Sequence, residues 1–108
     1  METFGLRTVD IQQLLEVLYS LPEVEEVWLF GSRAKGNYRK GSDIDLAIKG
    51  RYLSHQQLLQ LQVAVDDLWL PYYIDVLHYD TLSDEAVKAH IDQFGIPLPQ
   101  ADWQNVGL

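Results

Sequence analysis

The segment Asp43-Ile44-Asp45-Leu46-Ala47-Ile48 alternates an acidic or small residue with an aliphatic one at every step, a period of two that suits a strand covered on one face. Ile44, Leu46 and Ile48 turn toward a core, and Asp43 and Asp45 share the opposite face. On an extended strand their Cα atoms stand roughly 6.5 to 7 Å apart, so the two carboxylates can converge on one cation or bridge two. Bare carboxylates this close repel, and a shared proton or a bound metal is the usual relief. Hard oxygen ligands favour magnesium, or manganese, over zinc. Solvated acids at a capped strand start are the bland reading of a lone D-x-D, and the residues upstream weaken it.

Upstream, Val24, Val27, Trp28, Leu29 and Phe30 form a β-branched and aromatic run that predicts a largely buried strand from Val24 to Phe30. It meets Gly31-Ser32. A glycine at a strand end lets the backbone turn sharply and approach a ligand, and Ser32 is expected to cap the helical turn Arg33-Ala34-Lys35. Unpaired amides at such a turn favour phosphate, and a serine hydroxyl adds a donor. A Gly-Ser pair after a strand is by itself most often only a turn; the two carboxylates a dozen residues on give it meaning.

Tyr72 to Tyr79 forms a third strand-like run, interrupted by Asp75. An aspartate buried there must be paired, protonated or metal-bound, whereas one on an open edge need not be. With Asp43 and Asp45 it makes a three-carboxylate site the better reading. Phosphoryl or nucleotidyl transfer is the matching chemistry, in which two cations about 3.5 to 4 Å apart hold attacking and leaving oxygens in line.

The remaining pattern places helices between these strands. One is expected from Thr8 to Leu21, with Leu14, Leu15 and Leu18 on one face and Pro22 ending it. Another is capped by Ser54 and runs through Leu70 to Pro71, with Leu58, Leu61, Val65, Leu68 and Trp69 as its apolar stripe. A last one spans Ser83 to Phe94, with Ser83 as cap and Gly95 as stop. The order α, β, turn, β, α, β, α predicts an α/β (α+β) fold, a small mixed sheet with helices packed against it.

Eight Lys and Arg against sixteen Asp and Glu give a formal charge of −8, which disfavours stable nucleic-acid binding. Six of the eight cations (Arg33, Lys35, Arg39, Lys40, Lys49 and Arg51) nevertheless lie close together in sequence and rim the expected phosphate site. Arg33 and Lys35, inside the turn, are the stronger candidates; Arg39 and Lys40 read equally as a solvated loop. The 108 residues suit one domain over 1–108, with no room for a separate acceptor-binding domain. The absence of cysteine excludes disulfides and thiolate metal sites and fits a cytoplasmic protein. Neither a signal peptide nor a membrane span is evident.

Gly31, Ser32, Arg33, Ala34, Lys35 and Gly36, then Ser42, Asp43, Ile44, Asp45 and Leu46, then Asp75, together resemble the nucleotidyltransferase superfamily related to DNA polymerase beta, and within it the minimal nucleotidyltransferases. The resemblance implies that Gly31, Ser32, Arg33 and Ser42 hold a nucleoside triphosphate, ATP above all. It implies that Asp43, Asp45 and Asp75 are catalytic and bind two magnesium ions, Asp75 also activating the incoming hydroxyl. Many stand-alone members are antitoxins of an all-helical HEPN ribonuclease toxin, some silencing it by attaching AMP to a tyrosine, so a hetero-oligomer with such a partner is implied. Two other readings stay open: an antitoxin that only occludes the toxin, and a stand-alone enzyme acting on a small molecule.

The histidines form no metal-ligand pair. Strand alternation puts His78 opposite Asp75, and His55 and His90 read as solvated or packing residues. Tyr19, Tyr52, Tyr72 and Tyr73 read as core or boundary aromatics. The segment from Pro97 to Leu108, with Trp103, Val106 and Leu108, is expected to pack back on the domain.

Overall fold

The structure is a computed structural model that describes residues 2–100; Trp103, Val106 and Leu108 lie outside the described residues. Three expected strands and three expected long helices are present, with shifted ends, and two short strand pairings add to them.

The chain opens with a hairpin that the sequence pattern did not reveal, strands β1 (Glu2–Thr3) and β2 (Leu6–Arg7) joined by Phe4 and Gly5. Both turn residues have positive φ, 58° and 74°, as a two-residue hairpin with the sheet's natural twist requires. Phenylalanine is an uncommon occupant of that conformation, which hid the turn. Helix α1 (Thr8–Leu18) follows directly and buries Asp10, Ile11, Leu14, Leu15 and Leu18. Asp10 is tolerated there because Arg7 grips it through Nε and Nη2 at 3.1 and 3.0 Å. The helix stops short of Leu21 because Tyr19 turns out of it. The Tyr19 hydroxyl accepts the Val27 amide at 3.1 Å and donates to the Leu98 carbonyl at 2.8 Å.

Strand β3 (Glu26–Phe30) leads into the short helix α2 (Ser32–Lys35), and β4 (Ile44–Lys49) runs back antiparallel to β3. Helix α3 (His55–Asp66) crosses over to β5 (Ile74–His78), which pairs parallel to β4. A 3-10 turn over Tyr79–Thr81, helix α4 (Glu85–Phe94) and strand β6 (Ile96–Pro97) complete the described fold. The sheet order is β5-β4-β3-β6. Pro97 fits because β6 is an edge strand that need not donate outward. Leu98 then donates its amide to Val27 and is buried.

Alternation sorts the sheet into two faces. Val27, Leu29, Ile44, Leu46, Ile48, Ile74 and Val76 form one core with the buried faces of α1 and α3. Phe30, Asp45 and Asp75 take the second face, with Trp28, and α4 packs against β3. Ser54 caps α3 in a full capping box with Gln57. α3 ends at Asp66 rather than Leu70, since the residue before Pro71 is biased away from helical backbone. Trp69 turns left-handed with φ 56° and is 89% exposed, so it is not part of the helix's apolar stripe. Asp84, not Ser83, caps α4, accepting the Ala86 and Val87 amides. Tyr52 and Tyr73 are also exposed rather than boundary residues. Among the described residues no helix is long and apolar enough to cross a membrane.

Ser54→Ala removes the hydroxyl that the Gln57 amide donates to; the variant is expected to lose about 1 kcal/mol of stability in urea denaturation with an unchanged m value.

Candidate active site

The sheet register assembles the acids. Asp45 lies directly opposite Asp75 in the parallel β4–β5 pair and opposite Phe30 in the antiparallel β3–β4 pair. Gly31, one residue past Phe30, therefore falls beside the Asp45 carboxylate. Its φ of 76° suits glycine, and any Cβ there would overlap Asp45 Oδ2. Asp43 is exposed just before β4, and Asp75 is exposed on β5. Asp45 is half-buried, and its carboxyl is held above the usual carboxylate range by that burial first, then by the charges of Asp75 and Asp43, with His90 opposing. The repulsion expected from sequence is thus present, with loss of water as the larger part.

The donor set is all oxygen and carries up to three negative charges, which fits a hard divalent cation. Among the described residues, however, no three acidic or histidine side chains are gathered tightly enough to hold a metal ion as they stand. The three acids are close enough to act on one another electrostatically and spread enough to need drawing together.

The turn differs from expectation in three ways. Gly31, not Ser32, occupies the cap position of α2, and no side chain caps that helix; the Ser32 hydroxyl has no hydrogen-bond partner among the described residues. The Gly31 amide is taken, donating to His90 Nε2 at 3.0 Å, so the open amides at the turn are those of Ser32, Arg33 and Ala34. Arg33 is 2% exposed and its guanidinium is committed elsewhere. Nε and Nη2 donate to the Ser42 carbonyl at 3.2 and 2.8 Å, and Nη1 donates to the Phe4 carbonyl at 2.8 Å. It thus ties the start of the acidic strand to the amino-terminal hairpin instead of projecting from the Gly-Ser turn. Ser42 closes a tight turn in which its hydroxyl accepts the Arg39 amide at 2.8 Å, and Lys35 lies over the Phe94 ring.

His90 is the residue that sequence reasoning missed. It projects from α4, and its ring makes an edge contact with Phe30 and a tilted one with Phe94. In its bond to Gly31 the ring is the acceptor, through Nε2. The only sequence signal was its place one turn before the end of an amphipathic helix. His78, by contrast, is buried on the far face with Nε2 2.7 Å from the Gly50 carbonyl, away from the acids as alternation indicated.

A glycine turn set against paired strand carboxylates on a small mixed sheet defines a nucleotidyltransferase fold. The chain belongs to the family described as Polymerase beta, Nucleotidyltransferase, which matches residues 12–103. It is 31% identical over 84 residues to the Haemophilus influenzae protein named "Probable protein adenylyltransferase MntA", covering 74% of this chain and 71% of that protein. Solved structures share the fold, two of them as follows. A chain of a toxin–antitoxin complex crystallised with AMP-PNP superposes with a TM-score of 0.67 at 22% identity, over 92% of this chain and 79% of that one. A chain of the complex between a tri-AMPylated Shewanella oneidensis HEPN toxin and its MNT antitoxin gives 0.66 at 16% identity, over 90% and 75%.

Because the folded protein holds the Asp45 proton more tightly than the unfolded chain does, ionising Asp45 costs folding free energy. Stability from this group is fully present below the usual carboxylate range and is lost as pH rises through the raised pKa. With divalent cations chelated, Asp45→Asn is expected to melt a few degrees above wild type at neutral pH, the gap closing below the carboxylate range; thermal melts across pH measure it. His90→Leu is expected to cost about 1 kcal/mol and to speed hydrogen exchange of the Gly31 amide, while His90→Gln, which keeps an acceptor, recovers much of both.

Proposed function

We propose that this chain is an antitoxin enzyme that transfers AMP from ATP to a hydroxyl of a helical HEPN ribonuclease toxin and so silences it. The observation that carries the reading is Asp45 held between Asp43, Asp75 and a glycine turn in a chain 31% identical to the protein named "Probable protein adenylyltransferase MntA". Asp43, Asp45 and Asp75 would hold magnesium, or manganese in its place. When bound, the cations supply neutralisation of the acids and the triphosphate and keep the attacking and leaving oxygens in line.

The chain's own residues do the rest. The open amides of Ser32, Arg33 and Ala34 and the free Ser32 hydroxyl present donors to phosphate oxygens. His90 keeps the turn in register by occupying the Gly31 amide. Gly31 lets the turn lie against Asp45 where a larger residue would push the two apart. Asp75, exposed on β5, would orient the acceptor hydroxyl or take its proton. Arg33 and Ser42 act on the nucleotide indirectly, by fixing the backbone ahead of Asp43. A protein partner would supply the acceptor hydroxyl, within a hetero-oligomer. The cysteine-free composition supports work in the cytoplasm.

One observation favours a second reading, in which binding alone suffices. Leu59 and Val63 on α3 are 53% and 59% exposed, an apolar helix face on which a partner can seat without chemistry.

Incubating the chain with its HEPN partner, magnesium and labelled ATP is expected to label the partner. Asp43→Asn should lower the rate by about a hundredfold or more and abolish magnesium-dependent thermal stabilisation. An unlabelled partner, or wild-type transfer by Asp43→Asn, rejects the enzyme reading. Full protection of cells by an Asp43→Ala, Asp45→Ala double variant establishes occlusion instead.

A further inference from the structure

A cavity of about 470 Å³ lies beside the amino-terminal hairpin, walled by Arg7, Arg33, Tyr38, Arg39, Lys40 and Tyr72. Four of the chain's eight Lys and Arg thus surround one hollow in a protein of net charge −8, and among the described residues no acid lines it. None of Gly31, Asp45, Asp75 or His90 borders it. Tyr72 shares its strand parity with Ile74, which faces the α1–α3 core, whereas Asp75 faces the opposite side. None of Asp43, Asp45 and Asp75 lines the cavity.

Arg33 supplies the second observation. It is 2% exposed, its donors reach only carbonyl oxygens, and it pairs with no carboxylate among the described residues. Its guanidinium lies 5.2 Å from the Tyr38 ring centroid and 5.0 Å from that of Tyr72, holding the two rings as walls. A buried cation lacking a counter-ion raises the value of any anion that enters beside it. Arg39 and Lys40 at the rim are exposed and likewise free of ion pairs among the described residues, while Arg7 is partly neutralised by Asp10. The hollow is too large for phosphate alone and falls in the range of small-molecule sites. Its cations suit a phosphate and its two tyrosines suit a planar base or the ribose face.

We propose that this cavity is a second nucleotide site, taking a nucleoside monophosphate with its phosphate on Arg39 and Lys40 beside the Arg33 charge and its base against the tyrosine walls. The site needs neither divalent cation nor the protein partner, so it stands or falls apart from the transfer reaction.

Equilibrium dialysis of the full chain with labelled AMP in the presence of EDTA tests it. Saturable binding of one equivalent is expected, weakened about tenfold or more by Arg39→Ala with Lys40→Ala and by added salt. Both side chains are exposed, so that variant should keep the wild-type circular dichroism and melting temperature. Asp43→Asn with Asp45→Asn should bind AMP as wild type does. Absence of saturable binding at millimolar AMP overturns the site. Loss of binding in the aspartate double variant overturns its separation from the carboxylates, and displacement of AMP by inorganic phosphate at equal concentration overturns the nucleoside assignment.

Discussion

The parallel register between β4 and β5 is the constraint on which the rest depends. The Ile44 amide donates to the Tyr73 carbonyl at 2.8 Å, and from there Asp45 meets Asp75, Leu46 meets Val76 and Ile48 meets His78. A slip of one residue would turn Asp75 into the aliphatic core and bring Val76 out to the carboxylate face. The aliphatic residues of the two strands therefore place the acids, because only this alignment buries Ile44, Leu46, Ile48, Ile74 and Val76 together. Packing against α1 and α3 on one face sets the placement of the acids on the other.

That placement works against folding at the site itself. Asp45 is drawn out of water beside two like charges, and the tight approach of Gly31 depends on a backbone conformation that glycine alone adopts freely. Natural proteins keep such local penalties where they serve a ligand. A cation held by these acids, as proposed above, would convert the repulsion into attraction.

The sequence disclosed what is periodic and local. The strand around Asp43 and Asp45, the Gly31-Ser32 turn, the Ser54 cap and the opposite facing of Asp75 and His78 all follow from alternation or from residues a few positions apart. What stayed hidden depends on contacts between distant segments. Gly31 and His90 are 59 residues apart and Tyr19 and Leu98 are 79 apart, and no periodicity announces either bond. Arg33 illustrates the same point. Its neighbours in sequence suggested a phosphate ligand, whereas its neighbours in space are Ser42, Phe4 and two tyrosine rings. The Phe4-Gly5 hairpin and the Pro97 edge strand were missed because each places a residue against its usual preference, and tertiary pairing decides the matter.

The bonds of Arg33 to Phe4 and Ser42 tie the first few residues to the acidic strand, although they stand far from it in sequence. Whatever pulls on the amino-terminal hairpin, whether a fused tag, a proteolytic cut or a bound protein, pulls through one guanidinium on the backbone that leads into Asp43.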